Sequence, residues 1–358
     1  MPLPRGIRHA GLAITAGLAV AIAAASSALP AQAASQSGWR PVFRDNCPKE
    51  CFYGSVATSG RSSGWAVGEA GANGNIGSGR PIAARWRAGG WHLSPMPAGL
   101  AGGLNAVSVD SPTDAWAVSG QNGYLLHWNG TRWYVARRWP ENKGLPLQLT
   151  GVTAFSRTNV WVFGGPGAGP GLGTWHYNGR TWQHVTAGPG AGVVTASALA
   201  PADMWAIGSS TSPQDSIVRY TGAWHQISAP ALAKLQFNGI DALAAGNVWA
   251  SATLQVNYKK DYLVHLVNGR WSRIAVPYRV VVGRIAADGH GGVWIAAQAF
   301  TGGTSWLLHR TGTGRWSRVS LGSNALPAGI TRVPGTAALW AAGMSGGKAT
   351  IWGLGRVG

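Results

Sequence analysis

Short apolar runs recur along the chain, separated by Gly, Pro, Asn and Asp, and beyond the N-terminal segment none sustains a 3.6-residue period. One run repeats around a tryptophan. Trp65, Trp116, Trp161, Trp205, Trp249, Trp294 and Trp340 stand 51, 45, 44, 44, 45 and 46 residues apart. Each opens a short strand, as in Trp65-Ala66-Val67-Gly68 and Trp205-Ala206-Ile207-Gly208. Seven copies at this period predict seven stacked supersecondary units.

Each unit reads as four strands. A β-rich strand precedes the tryptophan, as in Asn105–Val109 or Thr150–Ala154. A short turn follows, with Asp114, Asn159, Asp203 or Asn247 two residues before the tryptophan, where turn chemistry favours them. After the tryptophan strand comes a loop that is expected to be long and to differ in every blade. The third strand then ends in His or Arg beside an aromatic: Arg85-Trp86, His127-Trp128, His176-Tyr177, Arg219-Tyr220. A tight glycine turn, such as Asn129-Gly130, leads to a fourth strand that opens with Trp91, Trp133, Trp182, Trp224, Trp271 or Trp316.

The seventh unit ends at Gly358 without its fourth strand. Ser37-Gly38-Trp39-Arg40-Pro41-Val42 matches the fourth-strand pattern Gly269-Arg270-Trp271-Ser272-Arg273-Ile274. The N-terminal strand, within residues 35–44, is therefore expected to pair with the strand around Thr350–Leu354. That pairing closes a ring and removes an exposed edge. Pro41 suits an outermost strand, where no ladder bond is lost. The predicted fold is all-β, a seven-bladed β-propeller of four-stranded blades. The blades fall at about 52–98, 103–140, 148–187, 192–229, 236–277, 281–321 and 327–358. A linear β-solenoid has no use for the borrowed strand.

The pattern Asp/Asn-x-Trp-Ala-Val/Ile-Gly, then His/Arg-aromatic, then Asn-Gly-x-x-Trp resembles secreted propeller-repeat proteins common in high-GC Gram-positive bacteria. The resemblance covers residues 37–358 and implies the fold more than any activity. Other propeller repeats fit less well. No Trp-Asp pair occurs, and Ala287-Asp288-Gly289-His290-Gly291-Gly292-Val293-Trp294 echoes a sialidase-type Asp-box in one blade only.

Residues 1–34 change the compartment expected. Arg5, Arg8 and His9 precede the apolar run Gly11–Leu29, and Ala31-Gln32-Ala33 forms a small-x-small cleavage site, as in a secretory signal peptide. Pro30 breaks the run and no basic stop-transfer cluster follows, so no membrane span is expected after cleavage. The expected product is a secreted, monomeric, single-domain propeller. Cys47 and Cys51 are the only cysteines, and in an exported chain they predict a small disulfide loop. Two thiols do not make a four-ligand zinc site, and no metal or other cofactor is expected.

Charge narrows the partners. The chain holds 29 Lys+Arg against 11 Asp+Glu; removing Arg5 and Arg8 with the leader leaves 27 against 11, a net +16. Such a charge favours acidic partners: anionic wall polymers, acidic glycans, nucleic acid or a membrane surface; an extracellular protein is the partner in a scaffold reading. The bland reading is solubility alone.

Candidate chemistry is sparse. His127, His176, His265 and His309 share one repeat position in different blades, so they point alike and cannot converge on an ion; a hydrogen-bonded role inside each blade is expected. Asp241 lies within a predicted innermost strand, where Ser108, Thr153, Ser197 and Ala286 stand in other blades, with Arg332 expected at the equivalent place. Glycosidases use two carboxylates flanking one bond, and apart from the turn acids the chain offers Asp45, Glu50, Glu69, Glu141, Asp215, Asp241 and Asp261. No nucleophile, metalloprotease or phosphate-loop motif occurs. Loops between second and third strands, and between blades, emerge on one face, which is the expected binding surface. It offers Asn73, Arg80, Tyr124, Gln214, Asp215, Tyr258, Lys259, Lys260 and Phe300, with Tyr258-Lys259-Lys260 the densest cluster. The expected function is an exported, non-enzymatic binding module. A protein–protein scaffold and a glycan hydrolase or lyase are the alternatives, and nucleic-acid binding has charge but no motif in its favour.

Overall fold

The computed structural model describes residues 38–72, 77–140, 148–164, 172–186, 191–210, 215–255, 260–299 and 304–357. Residues 1–37, Asn73, Gln214, Tyr258, Lys259 and Phe300 lie outside them.

Seven four-stranded antiparallel sheets form the blades of a propeller. Blade one is Cys51–Gly60, Ser63–Ala70, Arg80–Arg87 and Gly90–Ser94. Blade two is Leu104–Ser111, Asp114–Ser119, Tyr124–Trp128 and Trp133–Arg138. Blade three is Gly151–Ser156, Asn159–Gly164, Gly173–Tyr177 and Trp182–Val185. Blade four is Ala191–Ala200, Asp203–Ser210, Ser216–Tyr220 and Trp224–Ile227. Blade five is Leu235–Ala244, Asn247–Leu254, Asp261–Val267 and Arg270–Ala275. Blade six is Val280–Ala287, Val293–Ala299, Ser305–Arg310 and Trp316–Ser320. Blade seven is Ala325–Arg332, Leu339–Ser345, Lys348–Leu354 and, from the other end of the chain, Arg40–Arg44.

The closing strand pairs Arg40 with Gly353, Pro41 with Trp352, Phe43 with Ile351 and Arg44 with Thr350, and the register shifts between Pro41 and Phe43. Pro41 is on the outermost strand, as its missing N–H requires. The chain then turns through a disulfide joining Cys47 to Cys51. Asp45 N–H donates to Ala349 O, and Cys51 N–H donates to Gly347 O. This loop sits against the second-to-third connection of blade seven, which is only Gly346-Gly347. That connection corrects the expectation of a long loop there in every blade.

The core divides into seven clusters, one at each blade interface. Two tryptophan sets build them. The second-strand tryptophans are all buried, from 0% exposed at Trp65 to 6% at Trp294. In four of them the fourth-strand tryptophan of the next blade is in ring contact. Trp133 meets Trp65 at 4.8 Å, Trp224 meets Trp161 at 6.0 Å, Trp271 meets Trp205 at 5.9 Å, and Trp91 meets Trp340 at 4.9 Å. Trp39 meets Trp294 edge-on at 5.4 Å. The N-terminal tryptophan thus fills the place of a fourth-strand tryptophan in blade seven.

The glycine of the tryptophan motif answers a close approach. Inner strands bulge between Tyr53 and Ser55 and between Pro327 and Gly329. A Cβ on Gly68 would lie 1.9 Å from Phe52 O, and one on Gly343 would lie 2.0 Å from Leu326 O.

Candidate functional site

The repeated histidines and arginines serve the blades. The His127, His176, His265 and His309 rings stack on Trp116, Trp161, Trp249 and Trp294, with centroids 3.6–4.3 Å apart. Each ring also hydrogen-bonds a turn: His176 to Asn159 at 2.9 Å, His265 to Asn247 at 2.9 Å, and His127 to Asp114. Arg219 forks onto Asp203 at 2.9 and 3.0 Å over the Trp205 ring. Blade six uses a different donor of charge. Asp288, six residues before Trp294, bonds His309 at 2.8 Å. Gly292 holds the usual acid position, and a Cβ there would strike the Asp288 carboxylate. In blade one Ser63 replaces the turn acid, and Arg85 donates instead to Pro112 O of the neighbouring blade.

Asp241 belongs to an inner clasp between blades. Ser108 accepts from Ala154 N–H at 3.0 Å, Ser197 from Ala242 N–H at 2.9 Å, and Asp241 from Ala287 N–H at 2.7 Å. Each side chain therefore holds the inner strand of the next blade. Burial pushes the Asp241 carboxyl up to about 6, against the opposing pull of Ala287 N–H, Ser197 and Arg332. The expected register needs correction. Thr331, not Arg332, sits opposite Trp340, as Asp241 sits opposite Trp249. Arg332 is one residue on, donates to Thr336 O at 3.2 Å and lies across Gly289. Asp241, Thr331 and Arg332 line a cavity of about 310 Å³ with Leu243, Ile330 and Pro334. Deeper in the ring, Arg284 reaches from blade six to Thr195 of blade four, 3.1 Å away. Burial holds its guanidinium below the ordinary arginine value.

The long-loop face has its own cavity, of about 260 Å³, lined by Gln121, Asn122, Tyr124, Arg138 and Trp139. Tyr124 is fully buried, and its hydroxyl donates to Ala101 O at 3.1 Å and Gly102 O at 3.2 Å. Arg80 and Lys260 are exposed on this face. They are separated by blades two to four and do not form one cluster. Asp215 accepts from Phe237 N–H at 3.2 Å, and Asp261 accepts from Val282 N–H and from Thr253 Oγ1. Burial raises both carboxyls to about 6. They occupy one repeat position and each ties its blade to the next.

Most described acids are thus spent inside the fold. Glu69 is buried and accepts from Gly77 and Gly79 N–H. Asp45 is buried beside the Tyr53 hydroxyl. Among the described residues Asp110 is the one exposed acid. Exposed cations remain, and the short-turn face was missed by sequence reasoning. The turns from third to fourth strand, with the strand ends that flank them, carry exposed Arg87, Arg132, Arg180, Arg270 and Arg315. Three of these lie inside the repeat motifs: Arg270 in Gly269-Arg270-Trp271, and Arg132 and Arg180 in the Asn-Gly-x-x-Trp turns of blades two and three. Among the described residues no group of three His, Cys, Asp or Glu is spaced to hold a metal. No described helix is long and apolar enough to cross a membrane.

No protein-family model matches the chain. No curated protein matches its sequence. Solved structures match its fold. A streptogramin B lyase aligns over 90% of this chain and 100% of its own, at 14% identity and a TM-score of 0.63. A YCF48 protein bound to a D1 peptide aligns over 89% and 96%, at 15% identity and 0.61. A GH74 xyloglucanase from Xanthomonas campestris aligns over 85% of this chain and 53% of the enzyme, at 16% identity and 0.59. A lyase, a peptide-bound protein and a glycoside hydrolase share this architecture, so the likeness is one of fold.

Proposed function

We propose that the protein is an exported, non-enzymatic binding module for an anionic extracellular polymer or glycan. One observation carries the reading: most described carboxylates are held by histidines, backbone N–H groups or Arg219, with Asp110 the one exposed acid, while most described arginines and lysines are exposed. The +16 charge of the leaderless chain is therefore a property of its surface. The N-terminal apolar segment and the Cys47–Cys51 pair support export.

Hydrolase chemistry has less in its favour. Asp241 faces Ser197, Ala287 N–H and Arg332, not a second carboxylate to share acid and base roles. Retention on an acidic polysaccharide matrix, with a neutral dextran matrix as control, tests the proposal. Retention on the acidic matrix alone, lost as salt rises through the range where surface charge is screened, is the expected result. Absence of retention on the acidic matrix, or equal retention on the neutral one, would overturn it.

A further inference from the structure

We propose that the ligand-binding surface is the face of the short turns, and that its occupant is a linear acidic polysaccharide. This rests on the binding function proposed above and gives it a place and a ligand class. In each blade the first-to-second and third-to-fourth turns emerge at one end of the sheet, opposite the variable loops. In blades one, two, three, five and six an arginine stands in the third-to-fourth turn or at the strand end beside it: Arg132, Arg180 and Arg315 in the turn, Arg87 closing a third strand and Arg270 opening a fourth. All five are exposed, and none has an ion pair or side-chain hydrogen bond among the described residues. Nothing in the fold requires them: the turn itself is built by Asn129 or Asn178 accepting backbone N–H groups, and by glycines at positive φ.

Nearer the axis, Arg61 of blade one donates to Gly335 O of blade seven at 2.9 Å, and Arg157 of blade three to Thr113 O of blade two at 3.2 Å. These guanidiniums tie neighbouring turns through carbonyls, so their charge is not neutralised. A planar guanidinium offers two parallel donors to a carboxylate, which suits arginine over lysine at such positions. The described third-to-fourth turns carry arginine and no lysine.

The centre of the face points to a sugar. The cavity there sets the Asp241 carboxylate, the Thr331 hydroxyl and the Arg332 guanidinium beside Leu243, Ile330 and Pro334. Acceptors and donors next to an apolar wall match the hydroxyls and the carbon face of a pyranose. Its volume, about 310 Å³, is at the lower end for a small-molecule site. Nucleic acid fits less well. The exposed large aromatic among the described residues is Tyr134, and its hydroxyl is held by His127 at 2.6 Å, so successive bases have no row of stacking platforms.

The test uses the leaderless protein and immobilised polygalacturonate. One variant changes Arg87, Arg132, Arg180, Arg270 and Arg315 to Gln. A second changes Arg80, Lys234 and Lys260, exposed on the long-loop side, to Gln. Melting curves check that each folds, and two- and three-site subsets replace the quintuple variant if it does not. The expected result is a loss of at least about tenfold in affinity for the first variant and less than about twofold for the second. If the wild type fails to bind polygalacturonate, the binding function itself fails. If the wild type binds and the second variant, not the first, loses binding, the assignment to this face is wrong. Tighter binding at equal salt to a duplex DNA fragment, or to vesicles of anionic phospholipid, would overturn the polysaccharide.

Discussion

Replacing Trp39 by Ala separates a closed ring from an open one. Trp39 lies at the other end of the chain from the blade it completes, and it reaches Trp294 of blade six edge-on at 5.4 Å. Trp271 makes the corresponding contact with Trp205, at 5.9 Å, and is likewise half-buried. A fully buried tryptophan removes about 150–250 Å² from water, worth about 4–6 kcal/mol as an upper bound. Half-burial halves that, so each Trp→Ala change should cost about 2–3 kcal/mol. At about 2.1 cal/mol/K of unfolding entropy per residue, a chain of this size then loses about 4 °C in Tm. Calorimetry and urea titration of Trp39→Ala beside Trp271→Ala would measure both. Equal losses, with amide exchange rising first around Lys348–Leu354 in Trp39→Ala, are the expected result. An unchanged Tm for Trp39→Ala beside a lowered one for Trp271→Ala would refute ring closure by the N-terminal strand.

Other outcomes follow from the clasps and the disulfide. Burial raises the Asp241 carboxyl to about 6, so the folded protein holds that proton more tightly than the unfolded chain. Its favourable contribution is complete below about pH 4 and is lost as pH rises through about 6. Asp241→Asn keeps an acceptor for Ala287 N–H and should add about 1–2 kcal/mol at pH 7.5 but nothing at pH 4. A melting shift of the same size at both pH values would contradict the sign. Cys47→Ser with Cys51→Ser opens a short loop and should cost about 2 kcal/mol, read as a urea midpoint shift. No shift would mean that the hydrogen bonds of Asp45 and Cys51 to blade seven hold the crossing alone. His309→Ala leaves Asp288 with two backbone N–H donors and exposes the Trp294 ring, and should cost about 1–3 kcal/mol by the same measurement.

The architecture was legible because each blade repeats the same solution. The spacing of Trp65 to Trp340 located the second strands, and the Trp39 motif located the missing fourth one. Register within blade seven was not legible. Thr331 and Trp340 are separated by one residue more than Asp241 and Trp249, so counting back from the tryptophan lands on Arg332. The site was harder to read, for an electrostatic reason. Which acids neutralise which groups depends on contacts that one-dimensional order hides: Asp288 replacing a turn acid, Glu69 held by Gly77 and Gly79, Asp215 and Asp261 tied to the next blade. Only once those are known does Asp110 stand alone as an exposed acid among the described residues. The variable loops differ between blades and so stand out in the sequence, whereas Arg132, Arg180 and Arg270 lie within the repeat motif and do not.

The most direct test of the central claim is an amide-exchange footprint of the protein with and without polygalacturonate at low salt. Protection should concentrate in the turns at 87–90, 129–132, 178–181, 268–270 and 311–315, and around 331–335. Protection confined to the long-loop connections, such as 95–103, 120–123 and 228–234, would contradict the claim that the repeated turns form the binding face.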